Sequence, residues 1–387
     1  MLAKNLSDIE NLQTPAYIYD LKRLKKVVED ARKAAGKYKY HIHYAVKANV
    51  EPRIFQVFKE AGFGADCVSG GEVNFAIAQG IEPAHVFYAG VGKTDQEIND
   101  ALDAQIGAFN VEGLHELQVI NELAEAKGVV AKVALRINPN IEAGTHHYIS
   151  TGKEENKFGF SALEWSRVFG FLSRAKNVRL IGVHVHIGSQ ITNLEVFKSL
   201  CSVMNEYLKW MEDHNYQIPV VNVGGGLGVN YDKVDEDPDF EAFFKVFHDN
   251  LKLQPYQELH FELGRSLVAT CGTLATRILF IKESETKKWA VVDAGMTELL
   301  RPALYSAFHH ISSDKKEGTP VVCDVVGPIC ESSDTLATNV LLPDPKRGDL
   351  LYVHTVGAYG SVMRTKYNMR PSVHTYFLDA ISVTEKE

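Results

Sequence analysis

The feature that most constrains how this 387-residue chain can fold is a rhythm. From about residue 40 to residue 264, apolar or alternating runs of five to eight residues recur eight times, separated by longer segments of helical character. The runs are HIHYAVKA (41–48), GADCVS (64–69), HVFYAG (85–90), GAFNV (107–111), KVALRINP (132–139), GVHVHIG (182–188), VVNVGG (220–225) and LHFELG (259–264). The clearest helix lies at 193–214, where Leu194, Phe197, Leu200, Cys201, Met204, Leu208 and Met211 recur at three- and four-residue spacing. Eight strand–helix alternations over roughly 250 residues match a closed (β/α)8 barrel better than a doubly wound open sheet. From about residue 275 the pattern changes. RILFIKE, KWAVVDAG, TPVVCDVVG, GDLLYVHTVGAYG and HTYFLDAISVTE read as strands without long helices between them. The expected organisation is α/β: a barrel over 21–274, then a mostly β domain over 275–387, completed by the strand AYIYD within residues 1–20.

A barrel says where to look for chemistry, because the second face of each strand points into its interior and active sites lie at the carboxyl ends. Alternation in HIHYAVKAN sets His41, His43, Ala45, Lys47 and Asn49 opposite Ile42, Tyr44, Val46 and Ala48. Strand six sets His184, His186 and Gly188 opposite Val183, Val185 and Ile187. Strand eight sets His260, Glu262 and Gly264 opposite Leu259, Phe261 and Leu263. A solvated lysine on an edge strand would be the plain reading of Lys47, but a closed barrel has no edge. The pattern therefore gathers a lysine, imidazoles and a carboxylate on inward faces near strand ends.

Glycines add a second element. In VNVGGGLGVN (221–230) they let backbone N–H groups approach an anion closely. Ser189 follows His186, and Arg265 lies just past strand eight; phosphate sites in such barrels commonly use the loops after strands seven and eight. An inward lysine, a phosphate cradle and a buried acid together suggest pyridoxal 5'-phosphate. The lysine can form an imine with its aldehyde, and the carboxylate can keep its pyridine nitrogen protonated.

The composition, 45% hydrophobic and 23% charged, is that of a soluble globular protein, and a net charge of −8 argues against nucleic acid or an anionic membrane as partner. No stretch approaches a membrane span, and MLAKNLSDIE lacks the apolar run of a signal peptide. Five cysteines without a CxxC pair argue against a zinc knuckle or a thioredoxin-type site and fit a reducing cytoplasm; Cys67, Cys271 and Cys323 sit in apolar contexts, as core residues do. No metal is expected. The pairs His146–His147 and His309–His310 read as solvated loops. HIH at 41–43 matches the HxH of metal-dependent amidohydrolases, but those histidines lie about 13 Å at strand rise before the strand end marked by Lys47.

YAVKAN, GADCVSGGE, HVHIGSQ, GGGLG, ELGRS, DAGMTELLRPALY, VVGPICESSD, GAYG and YNMRP occur in the order seen in diaminopimelate decarboxylases. The chain resembles that family from about Thr14 to Pro371. Its members pair an alanine-racemase-like barrel with a β domain and use pyridoxal phosphate. The first five motifs are shared with ornithine and arginine decarboxylases; RPALY with CES is narrower. The resemblance implies that Lys47 is the Schiff-base lysine, that His186 stacks on the ring and that Glu262 bonds its nitrogen. It implies a phosphate site of Ser189, Gly224, Gly225, Gly226, Gly264, Arg265 and Tyr359. For the substrate it implies Arg265, Arg301, Tyr305, Glu331 and Tyr359, with Cys330 as proton donor. Cys330 and Glu331 come from the partner subunit in the family, so a homodimer is expected. The implied reaction takes meso-2,6-diaminopimelate to L-lysine and carbon dioxide, the last step of lysine biosynthesis. Two arginines suit the far carboxylate of that substrate, and Glu331 its ammonium group. The alternatives are a decarboxylase of another basic amino acid (ornithine, arginine or carboxynorspermidine-type), a silent pyridoxal phosphate-binding relative and an alanine-type racemase. Two positions depart from the family pattern. Leu263 replaces a proline on the outward face, and Ser333 replaces a glycine, which would strain the loop if that glycine has positive φ.

Overall fold

The structure, a computed structural model, describes residues 12–139, 157–161 and 164–378 and the backbone of 383–386; His146 and His147 lie outside the described residues. Contacts divide the chain into two compact units. One comprises Val28–Gly228 with Asp239–Gly264, the other Met1–Val27 with Val229–Pro238 and Arg265–Glu387. This grouping passes between the units at Gly264, where the sequence pattern suggested 274, and it takes residues 229–238 out of the barrel.

After β1 (Ala16–Asp20) come eight parallel strands: β2 (His41–Ala45), β3 (Gly64–Cys67), β4 (Val86–Tyr88), β5 (Ala108–Val111), β6 (Ala131–Arg136), β7 (Val178–His184), β8 (Val220–Asn222) and β9 (Glu258–Leu263). Each pairs with the next, and β9 returns to β2 with His43 opposite Glu262, closing the barrel. The helix layer follows from apolar stripes. Helix Glu195–Asp213 buries Phe197, Leu200, Cys201, Met204, Leu208 and Met211, the stripe read from the sequence. Helix Phe240–Asn250 buries Phe240, Phe243, Phe244 and Phe247, and three of these rings lie 4.9–5.6 Å from the ring of Phe261. Phe261 thus faces the helices, and strand alternation turns Glu262 inward and Leu263, fully buried, outward.

Several strands are shorter at their carboxyl ends than alternation suggested. β2 stops at Ala45, and Val46–Ala48 form a single 3-10 turn, so Lys47 stands on a turn past the strand. β7 runs four residues earlier than expected, leaving His186 and Gly188 beyond it. Gly188 (φ 148°), Gly224 (φ 68°) and Gly226 (φ 103°) take backbone angles outside the strand region, which ends the pairing and opens loops at the catalytic end.

The second unit is a nine-stranded sheet of β1, β10 (Gly272–Glu283), β11 (Lys288–Val292), β12 (Ile311–Ser313), β13 (Pro320–Val326), β14 (Thr335–Pro343), β15 (Leu350–His354), β16 (His374–Leu378) and β17 (Val383–Lys386). β1 lies antiparallel to β10 and parallel to β16, placing Ala16 and Ile18 in a core with Ala275, Tyr352, Tyr376 and Leu378. β12 and β14 were not foreseen. β12 is three residues long, and β14 exposes Thr338 and Asn339 within its run, so neither carries a strong period.

Candidate active site

At the carboxyl end of the barrel the inward side chains converge on Glu262. Its Oε1 accepts from Asn222 Nδ2 (2.8 Å) and Asn110 Nδ2 (3.2 Å), and its Oε2 pairs with His184 Nε2 (3.0 Å). Burial alone would raise its pKa; the charge and hydrogen bond of His184, then His186 and Lys47, outweigh burial and hold the carboxyl well below the usual range. Glu262 is a buried, ionised carboxylate. The Lys47 turn brings Nζ to 3.9 Å from Asp66 Oδ2 on β3. Burial raises Asp66, Glu262 adds to the shift, and Lys47 opposes it.

His186 lies on the loop after β7, and its Nδ1 accepts the Gly225 N–H (3.3 Å), so a proton on the neutral ring sits at Nε2. Burial, then the charges of Lys47 and Arg136, push its pKa far down. The glycine loop fits against this wall without room for side chains. A Cβ at Gly225 would stand 1.9 Å from the Glu262 carbonyl oxygen, one at Gly224 2.4 Å from that of Val185, and one at Gly226 2.7 Å from that of Gly188. Ile191 N–H donates to Gly226 O (2.9 Å), tying the half-buried Ser189 segment to the glycines. Gly264 closes the set: its Cβ would touch those of Ala45 and Ala48 at 3.1 and 3.2 Å, so the Lys47 turn packs tightly on the end of β9.

A second group forms within the sheet unit. Tyr231 Oη accepts from Arg265 Nη1 (2.5 Å) and Arg301 Nη1 (2.9 Å), and the Arg265 guanidinium lies 4.9 Å from the centre of the Tyr359 ring. Arg301 Nη1 also meets His309 Nε2 (2.9 Å), whose Nδ1–H is directed at the His354 carbonyl (3.0 Å). His309 is therefore no solvated loop residue. It is buried, and burial together with Arg301 lowers its pKa to about 3, so it stays neutral and accepts from the guanidinium. Arg301 Nε is buried without a hydrogen-bond partner. Tyr305, half-buried, ends the helix Arg301–Tyr305.

Cys330 and Glu331 occupy an exposed turn of the same unit. Cys330 N–H donates to Asn368 Oδ1 (3.0 Å), and Tyr367 Oη–H donates to Glu331 Oε1 (2.7 Å). Asp334 braces the turn, accepting from the N–H groups of Ile329 (2.7 Å) and Met296 (2.5 Å). Ser333 does not have a positive φ, so it carries none of the strain considered for a glycine replacement. The other four cysteines are buried.

Sequence reading missed Asp66, Asn110 and Asn222 as site residues, although each is polar at an inward position of its strand. It also missed Tyr231, which no motif flags, and His309. His41 and His43 belong to β2, at the other end from the Lys47 turn; His43 Nε2 bonds His260 Nδ1 (2.8 Å).

The family described as pyridoxal-dependent decarboxylase, pyridoxal binding domain, matches residues 21–269. A diaminopimelate decarboxylase of Bacteroides thetaiotaomicron is 45% identical over 97% of this chain and 98% of its own length. One from Aquifex aeolicus is 40% identical over 92% and 85%. The crystal structure of the Helicobacter pylori diaminopimelate decarboxylase complexed with L-lysine superposes with a TM-score of 0.92, at 36% identity over 98% of this chain and 95% of that one. This chain belongs to the diaminopimelate decarboxylase family.

The family's cofactor is pyridoxal phosphate, and the residues present in this decarboxylase fit it. An ionised carboxylate faces the barrel interior beside a lysine, and a backbone loop from which any Cβ is excluded lies next to it. Those are the parts a pyridinium ring, an aldehyde and a phosphate need. Among the described residues, no helix is long and apolar enough to cross a membrane.

Proposed function

We propose that this chain decarboxylates meso-2,6-diaminopimelate at one end, yielding L-lysine and carbon dioxide, the last step of lysine biosynthesis, and that it works as a cytoplasmic homodimer. Bound pyridoxal phosphate supplies a protonated ring that withdraws the electron pair left on carbon as the carboxylate departs. Lys47 Nζ is the amine that holds the cofactor's aldehyde carbon. Glu262 holds a proton at the ring nitrogen, and its charge makes that proton hard to lose. His186 covers one ring face. The backbone at Gly224, Gly225, Gly226 and Gly264, with Ser189, Arg265 and Tyr359, holds the phosphate.

Arg265, Arg301, Tyr305, Glu331 and Tyr359 take the rest of the substrate. The far carboxylate of diaminopimelate meets Arg301, whose buried Nε is the donor still open to it. A cationic ornithine or arginine tail would have no use for that group. The Cys330 thiol, contributed by the partner subunit, gives its proton to the carbon that has lost carbon dioxide; the C–C bonding pair becomes the C–H pair.

The observation that carries this reading is Glu262: a buried carboxylate, kept ionised by its neighbours, beside the Lys47 turn. The test is to incubate purified protein and pyridoxal phosphate with meso-diaminopimelate, lysine, ornithine or arginine and measure carbon dioxide. Release from diaminopimelate alone is expected. Preferred release from ornithine or arginine would overturn the substrate assignment.

A further inference from the structure

The HIH stretch is not used by the decarboxylation chemistry. His41 opens β2 and Glu258 opens β9, so both stand at the amino-terminal mouth of the barrel, the end opposite the Lys47 turn. His260, two residues into β9, reaches the same place. His41 Nε2 lies 3.7 Å and His260 Nε2 3.6 Å from one oxygen, Glu258 Oε2, and the three atoms all lie within 4.8 Å of one another. Tetrahedral zinc with bonds of about 2.0–2.1 Å sets its ligand atoms about 3.4 Å apart, so small side-chain adjustments close the set. The two imidazoles stack with centroids 4.7 Å apart, which brings their Nε2 edges together.

His260 supplies the independent observation. The residue is only 7% exposed, and its Nε2 has no hydrogen-bond partner. Its other nitrogen, Nδ1, is joined to His43 Nε2 at 2.8 Å. That bond holds a single proton. With the proton on His260 Nδ1, Nε2 is a bare lone pair aimed at Glu258, and His43 is the outer partner that orients the ligand ring. A buried nitrogen left without a partner is costly, and a metal ion at this position satisfies it.

We propose that His41, Glu258 and His260 form a divalent transition-metal site, best suited to zinc, at the amino-terminal mouth of the barrel. Two imidazoles and one carboxylate leave a fourth position open, and a cavity of about 540 Å3 gives access to it. Lys132 and Arg179 line the same cavity, so the fourth ligand is water or a small anion. Zinc here ties the first and last strands of the barrel together at the end where no chemistry takes place.

The experiment uses the pyridoxal phosphate-loaded protein, stripped with a chelator and titrated with zinc against a chromophoric zinc competitor, and with cobalt(II) as a spectroscopic stand-in. The wild type is expected to take up one equivalent with a tetrahedral cobalt spectrum. His41→Asn and Glu258→Gln each weaken uptake at least about tenfold while carbon dioxide release stays at the wild-type rate. Both side chains are half or more exposed, so neither change disturbs the packing. Absence of a bound equivalent in the wild type, or unchanged affinity in both variants, would overturn the assignment. Neither result bears on the decarboxylase reading, whose residues lie at the other end of the barrel.

Discussion

Glu262 shows how one residue's chemistry is set by its neighbours. A carboxyl group buried alone takes up a proton; beside it, Asp66 does move in that direction. Glu262 does not, because three hydrogen bonds from His184, Asn110 and Asn222 and the electrostatic pull of His184, His186 and Lys47 outweigh burial. The two acids are thereby driven apart, one ionised for a cationic ring and one inclined to stay neutral near Lys47. Glu262→Gln keeps the shape and removes the charge. We expect the variant to retain its cofactor at Lys47 but to lose at least about 100-fold in kcat, the scale of a lost proton-holding group. Cofactor content by absorbance and kcat by carbon dioxide release, measured on one preparation, check this. Wild-type turnover would remove Glu262 from its role at the ring nitrogen.

The elements that carry the site are irregular by necessity. β2 ends at Ala45 so that a 3-10 turn can aim Lys47, and Ala45 and Ala48 leave room for Gly264. The glycine loop is held between the end of β9 and the segment after β7. Gly225→Ala would set a methyl against a backbone carbonyl that cannot rotate away, an overpacking cost of about 1–3 kcal/mol that must be met by shifting the loop. The expected result is a folded barrel whose affinity for pyridoxal phosphate falls at least about tenfold, read by titrating the apoprotein; unchanged affinity would separate the loop from phosphate binding. Much of this was legible beforehand. The eight-fold rhythm gave the barrel, and alternation turned Glu262 inward because Phe261 needs the helix layer. Strand ends were less legible, since a period of two continues through Lys47 while the backbone leaves the strand. Tyr231 and His309 were not legible at all. Tyr231 sits on a segment that groups with the other unit, and the buried His309 is held by Arg301 and the His354 carbonyl of β15, partners distant in the sequence pattern.

For the whole molecule, two predictions concern how distant parts depend on one another. The first is stability against acid. His354 is buried and hydrogen-bonded to Ser312, and burial, then His310, lowers its pKa to about 4. The unfolded chain binds that proton below about pH 6.5, so the stability gained by a neutral His354 is lost as pH falls from there toward 4. Relative to His354→Gln, the wild type should lose about 2 kcal/mol between pH 6.5 and 4.5. Urea unfolding of both proteins at the two pH values checks it, and a constant difference would refute it. The second prediction concerns assembly. Lys47 belongs to one unit of the chain and Cys330 to the other. Cys330 sits on an exposed turn beside residues 367–369, where Met369 is 95% exposed and both Asn368 and Met369 have left-handed backbones. An apolar side chain projecting from so constrained a turn suits a surface that a second copy covers. If the partner supplies Cys330, Lys47→Ala and Cys330→Ala homodimers are both inactive, yet each holds what the other lacks. Unfolded together and refolded in equal amounts, half the dimers are mixed, and in a two-fold dimer one of their two sites has both native residues. Activity should return to about a quarter of the wild-type value. If Lys47 and Cys330 serve one site within a single chain, no mixture regains activity, because every site then carries one of the two substitutions.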